Sequence, residues 1–227
     1  SQESKKYLEK LKVRKIKYFG NLKLTSENNL NTVNNKILFN NKSWCAVSTH
    51  KEEDIFCLKT HLIVKKIHRN IITVIIPRHI HRAKNIKSLC KKLNLRSQII
   101  SEGDLIKDNK EIIIINSYGV IPNYLQYCKS VFIGKSLIKR LEKVGGQNPI
   151  EAAKLGCKIY HGPYVYNFKE IYELFKKYKI SETIYDEDEL SNKLNIDLSK
   201  SNKIKDEKVE IINDLGKKIL NDTCNEL

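Results

Sequence analysis

A parallel, doubly wound α/β domain is what this sequence predicts, and three observations carry the prediction. Short runs of β-branched and aromatic residues recur at 44–48, 71–76, 111–115 and 130–133. Segments with apolar residues at helical spacing separate most of these runs, and strands alternating with helices of that length argue for a parallel sheet. The residues just after four of the runs are polar and fall at one end of the sheet, where such folds bind ligands.

In chain order, residues 3–12 read as a helix and 15–19 as a short strand that ends in Gly20-Asn21-Leu22-Lys23. Residues 25–43 are rich in Asn, Ser, Thr and Lys around one apolar turn at 37–39, which suits a linker or a surface helix. Then follow strand 44–48, helix 52–67, strand 71–76, helix 83–93, strands 98–100 and 111–115, and helix 121–128. Strand 130–133, helix 148–155, strand 158–160, helix 167–178 and strand 183–185 complete the alternation. Residues 186–206 are acidic and then polar. Val209, Ile212, Leu215, Ile219 and Leu220 recur at helical spacing and predict a C-terminal helix that must pack on something.

The 227 residues suffice for one or two domains with a substantial core. A net charge of +16 fits nucleic acid, an anionic membrane surface or phosphorylated substrates. The lysines are dispersed, however, through the Lys-, Ile- and Asn-rich composition expected of an AT-rich genome. No RNP-like aromatic motif or zinc-finger spacing supports sequence-specific nucleic-acid binding. No stretch approaches the roughly 18 apolar residues of a membrane span. The chain opens on Ser1, contains no Met and shows no signal segment, which predicts a missing N-terminal part rather than a processed secretory protein. Its six cysteines, at 45, 57, 90, 128, 157 and 224, form no C-x-x-C and no cluster with His at metal spacing. Most lie in apolar runs as small hydrophobes, as in a reducing cytoplasm.

The chemistry concentrates at the strand ends. Ser48-Thr49-His50 follows the first strand, Pro77-Arg78-His79 the second, Asn116-Ser117-Tyr118-Gly119 the run at 111–115, and Gly134-Lys135-Ser136 the run at 130–133. Arg78 and His79 offer a guanidinium fork and an imidazole to a phosphate, unless Arg78 is only a solvated loop residue. Alone, His50 and His161 read more readily as structural donors than as catalysts. Gly145 and Gly146 let the backbone approach a ligand, Asn148 sits where an N-cap belongs, and Pro149 takes the first helical position. An anion suits that helix start. Glu151, three residues after Asn148, either closes a capping box or accepts hydrogen bonds from a ribose. Gly134-Lys135-Ser136 is not a Walker A loop, because position 129 is Lys129 where that motif needs glycine. No two of the nine glycines stand at i and i+2, which excludes a dinucleotide fingerprint.

These motifs, in this order, resemble the C-terminal half of the 3-deoxy-D-manno-octulosonic acid (Kdo) transferases, enzymes of the glycosyltransferase B fold. The likeness runs from Gly20-Asn21-Leu22-Lys23 through Ser48-Thr49-His50, Pro77-Arg78-His79, Gly119, Phe132-Ile133-Gly134, Ser136-Leu137 and the 145–151 turn to His161-Gly162-Pro163 and Asn167-Phe168. It implies a Rossmann-like parallel sheet with helices on both faces. The implied organisation is a tail of a missing acceptor domain at 1–23, a linker at 24–43, a nucleotide-sugar-binding domain at 44–200 and a C-terminal helix at 201–227.

The resemblance further implies transfer of Kdo from CMP-Kdo to a lipid A precursor in lipopolysaccharide biosynthesis, with inversion and without a metal or other cofactor. The expected place is the cytoplasmic side of the inner membrane, against an anionic lipid surface. Its CMP contacts fall on Pro77, Arg78, Tyr118, Gly119, Val120, Asn148, Pro149, Ile150 and Glu151. Lys23 matches a lysine that stabilises developing charge. Ser48, Thr49, His50, His79, Ser136, Gly145, Gly146 and Gln147 are the remaining candidate donor contacts. The sequence departs from the family where Gln147 replaces a usual His, Val120 a Glu and Lys135 a glycine. The carboxylate that deprotonates the acceptor in this family belongs to the N-terminal domain. This chain alone is therefore expected to be inactive. The alternatives are a truncated, non-catalytic nucleotide-binding module and another sugar-nucleotide transferase of the same fold.

Overall fold

The structure, a computed structural model, describes residues 1–26, 36–200 and 206–226. Parts of the expected linker (27–35) and of the expected C-terminal segment (201–205 and 227) lie outside the described residues. Seven strands form one sheet: β1 (Ser43–Thr49), β2 (Ile72–Pro77), β3 (Ser97–Ile100), β4 (Ile112–Ile115), β5 (Ser130–Ile133), β6 (Lys158–His161) and β7 (Ser181–Thr183). Their order is β3-β4-β2-β1-β5-β6-β7, and every neighbouring pair is parallel.

The central strands are apolar on both faces because helices cover both. Alternate residues separate into two cores. On one face Cys45, Val47, Ile113, Ile115, Val131 and Ile133 pack beneath α5 (Ile121–Leu125), α6 (Ile150–Lys154), α7 (Lys169–Lys177) and α9 (Asp206–Cys224). On the other, Trp44, Ala46, Ile112, Ile114 and Phe132 pack beneath α3 (Lys51–Lys65), α4 (Ala83–Lys92) and α8 (Glu187–Ser199). This is the doubly wound α/β architecture expected from the alternation of elements. Five of the six cysteines are buried and reduced.

Helix α1 (Gln2–Lys10) forms as expected, but the strand expected at 15–19 does not. The sheet ends at β3 and β7, and this segment runs against helices instead. The Tyr18 hydroxyl donates to Glu170 Oε2 of α7 at 2.7 Å. Gly20 closes onto α9, where a Cβ would lie 2.6 Å from Ile219 Cδ1. A second difference is α8, within a stretch read only as acidic and then polar. Asp186 caps it by accepting from the Glu189 N–H at 2.7 Å, and Leu190, Leu194 and Leu198 bury one residue per turn. Strand β7 falls at 181–183, just before the position expected for it, because Ile180 and Ile184 flank it in the core. Within the stretch read as a linker, α2 (Lys36–Asn40) buries Leu38.

Candidate functional site

Parallel pairing brings the carboxyl ends of the central strands together. Thr49 stands in register with Pro77, and Val47 with both Ile76 and Ile133. Because β1 lies between β2 and β5, the chain leaves it toward one half of the sheet and later fills the other. The crevice beyond β1 and β5 is thus the topological switch point.

One residue that sequence reasoning missed organises this crevice. Glu53, in the first turn of α3, is 1% exposed and accepts four backbone N–H groups. Oε2 takes His50 at 3.0 Å and Lys135 at 2.7 Å, and Oε1 takes Ser136 at 2.8 Å and Leu137 at 3.0 Å. The carboxylate thereby ties the start of α3 to the loop leaving β5. Gly134 permits the approach, since a Cβ there would lie 2.6 Å from the Ser48 carbonyl oxygen and 2.9 Å from Glu53 Oε2. The available signal was a glutamate three residues after the strand-end His50, the spacing of a capping box. Ser48 and Lys135, on the two sides of the crevice, both hold left-handed backbone with φ of 56° and 57°. For residues with a Cβ this costs roughly 1–2 kcal/mol each, strain of a kind that collects at ligand sites.

Some expected ligand contacts hold the scaffold instead. Ser136 is fully buried, donating to the Ile133 carbonyl at 2.7 Å and accepting from the Gly162 N–H at 2.9 Å. Both roles of its hydroxyl are taken, so it latches the β5 loop to the β6 loop rather than meeting a ligand. Thr49 is likewise buried, and its carbonyl accepts from the Arg78 N–H at 3.1 Å and Arg82 Nη1 at 3.3 Å. Arg82 also pairs with the buried Asp54. Burial pushes the Asp54 carboxyl up to about 6, against the pull of Thr49 and Arg82. This pair fixes the turn carrying Arg78 and His79 onto α3 and leaves both of those side chains exposed. His50 is part-buried between them and Lys135. Burial lowers its basicity, the Glu53 charge and a Ser48 carbonyl contact oppose that, and His79 and Lys135 reinforce it.

The glycine turn differs from expectation in what it approaches. A Cβ on Gly145 would lie 2.4 Å from the Tyr164 carbonyl oxygen, and Gly146, with φ of +86°, donates to the Lys135 carbonyl at 2.7 Å. The two glycines admit the protein's own backbone and bind the turn to the β5 and β6 loops. Asn148 accepts from the Ile150 N–H at 3.1 Å, but the N-cap of α6 is Pro149 and the helix starts at Ile150, so Asn148 is not the cap and Pro149 is not the first helical residue. Pro149 and Ile150 are buried, and Glu151 is part-exposed in the first turn. The Gln147 carbonyl accepts from the Tyr172 hydroxyl at 3.0 Å. Tyr172 in turn packs on His161, which burial holds down to about 4.

Lys23 is exposed on a short turn, its ammonium 5.1 Å from the centre of the Phe168 ring. The neighbouring Asn167 N–H donates to the Gly145 carbonyl at 3.0 Å, which sets Lys23 beside the segment gripping the glycine turn. At the end of β4, Tyr118 is 63% exposed and Gly119 takes φ of +76°, leading into Val120 at the start of α5. The rim therefore presents exposed Arg78, His79 and Tyr118, with part-buried His50 and Lys135. A cavity of about 370 Å³ lies at the opposite, amino end of the strands, lined in part by Arg69, Asn70, Arg96 and Lys110. Its buried carboxylate, Glu111, is already held by Lys65 and the Arg96 N–H. Among the described residues no group of His, Cys, Asp or Glu is arranged to hold a metal ion.

No protein-family model matches the chain. It is 30% identical over 131 residues to the 3-deoxy-D-manno-octulosonic acid transferase of Haemophilus influenzae, covering 58% of this chain and 30% of that protein. It is 25% identical over 198 residues to the enzyme of the same name from Aquifex aeolicus, covering 85% of this chain and 53% of that protein. The chain thus spans about half or less of the length of these relatives. Among solved structures it is similar to the C-terminal CMP-Kdo binding domain of WaaA from Acinetobacter baumannii. That likeness has a TM-score of 0.66 and 23% identity and covers 81% of this chain and 91% of that one. It shows a shared fold.

Proposed function

We propose that this chain binds CMP-Kdo at the crevice beyond β1 and β5 and is the donor half of an inverting Kdo transferase. The observation that carries the reading is the rim itself, which places Arg78, His79 and the 145–148 turn around a switch point in a chain similar to Kdo transferases over 131 residues. In this reading Arg78 forks the phosphate, Glu151 and Asn148 meet the ribose, and Tyr118, Gly119 and Val120 line the base. The acceptor hydroxyl, on a lipid A precursor, attacks the anomeric carbon from a separate acceptor domain, and CMP departs with its bonding electrons. Arg78 and Lys23 stabilise the charge that builds on the leaving phosphate. Work at the cytoplasmic face of an inner membrane, with the basic surface turned toward anionic headgroups, belongs to the same proposal.

Calorimetric titration with CMP, with UMP and GMP as controls, tests it. CMP-selective binding that weakens roughly tenfold or more in Arg78→Ala and in Glu151→Ala is expected, the scale of losing a charge-assisted hydrogen bond. Binding of UMP or GMP in place of CMP would favour another sugar-nucleotide transferase of the same fold. Binding untouched by either substitution would place the ligand elsewhere.

A further inference from the structure

Three imidazoles stand together at the mouth of the crevice, and the reading above names only His79 among them. The His79 ring lies 5.9 Å from the His50 ring, edge-on, and 5.7 Å from the His81 ring, stacked, between ring centres. His79 and His81 are exposed, while His50 is part-buried. They come from two different loops, and their arrangement is not accidental drift of a mobile turn. Arg82, the next residue after His81, is anchored to buried Asp54 and to the Thr49 carbonyl. No metal-holding arrangement exists among the described residues, so metal chelation does not explain the trio.

Glu53 is the strongest charge acting on His50 and raises its basicity, and the other charges acting on it are positive. Lys135 and His79 both act on His50, and Arg78 adjoins His79 in the chain. The negative groups nearby are already engaged, Glu53 by four N–H groups and Asp54 by Arg82. An anion seated among these imidazoles meets hydrogen-bond donors with Arg78 and Lys135 close by.

The geometry points to His81 as a recognition residue for a second anion of the ligand, completing with His79 and His50 a subsite for the carboxylate of the donor's acidic sugar, separate from the phosphate held by Arg78. This inference rests on the proposed CMP-Kdo site. A 2-ulosonic acid linked to CMP carries two anions, the phosphate diester and the sugar carboxylate, whereas CMP carries phosphate alone. The carboxylate stays ionised throughout the pH range in which imidazoles titrate.

The test compares the Kd of CMP with that of CMP-N-acetylneuraminate, a CMP-linked 2-ulosonic acid, at neutral pH in the wild-type chain, His81→Phe and His81→Lys. The readout is the ratio of the two constants. In the wild type the acidic sugar should improve binding about five- to tenfold over CMP. His81→Phe should bring the ratio near one, and His81→Lys should keep it above one. A ratio unchanged in His81→Phe, or a wild-type ratio near one with CMP bound normally, overturns the subsite and leaves the CMP site standing. Failure of the wild type to bind either nucleotide overturns both.

Discussion

Glu53 shows how much of the crevice depends on a single side chain. Four backbone N–H groups from two segments converge on its buried carboxylate, each a charge-assisted bond. In Glu53→Gln one acceptor oxygen becomes an NH₂ that faces two of those donors. The expected loss is about 2–4 kcal/mol, read as a lower urea midpoint with unchanged slope. CMP affinity should fall as well, since Lys135 and His50 lose their shared anchor. Full stability in this variant would remove Glu53 from the argument. Two buried titratable groups near the same strand ends act oppositely on acid stability. Burial holds His161 down to about 4, so below about 6.5 the unfolded chain takes up a proton that the folded chain refuses. The associated stability is present above pH 6.5 and lost toward pH 4, by up to about 3 kcal/mol. Burial raises Asp54 to about 6, so the folded chain takes its proton first, and acidification from 6 to 4 adds up to a similar amount. Urea midpoints at pH 7 and pH 5 separate them: His161→Gln should lose less stability on acidification than the wild type, and Asp54→Asn should lose more.

At the scale of elements, α8 is the clearest test of what packing adds beyond pattern. It lies on α3, and its Asp197 accepts from the Ser130 hydroxyl at 2.8 Å and the Tyr160 hydroxyl at 2.7 Å, which joins it to β5 and β6. Leu194→Ala should cost about 2–5 kcal/mol, the range for a fully buried leucine that leaves a cavity, measured by thermal unfolding. A loss below about 1 kcal/mol would mean that α8 is not seated on α3. The sheet was legible because runs such as Ile112–Ile115 are apolar at every position, as strands covered on both faces require. Helix α8 was not, because it buries one leucine per turn amid acidic residues and gains its stability from the α3 surface. The expected strand at 15–19 failed because the segment is held against α7 and α9, through Tyr18 and Gly20, and pairs with neither edge of the sheet. At the site, the strand-end clusters were legible as a rim. The internal roles of Ser136, Gly145 and Gly146 were not, since only the fold shows that their neighbours are other loops of the same chain.

Across the whole molecule, the two ends of the chain meet on one helix. Gly216 of α9 lies against the turn that holds Lys23, where a Cβ would come within 2.2 Å of the Leu24 carbonyl oxygen. One turn further on, Ile219 covers Gly20, and near the C-terminus Glu226 pairs with Lys17. Residues 17–24 are thus held by α9 together with Glu170 of α7, and Lys23 lies over the Phe168 ring near the glycine turn. Gly216→Val removes the close approach while leaving the strand-end loops untouched, because backbone at 2.2 Å cannot yield as a flexible side chain would. Hydrogen exchange of residues 14–26 should accelerate severalfold in this variant, with protection in β1, β2 and β5 unchanged. On the proposed role of Lys23, CMP affinity in the isolated chain should stay within about twofold, since charge that develops only during transfer is absent from ground-state binding. Equal acceleration across the sheet would instead mean that the substitution loosens the whole core that α9 covers. A tenfold loss of CMP binding would move Lys23 from transition-state stabiliser to ground-state ligand contact.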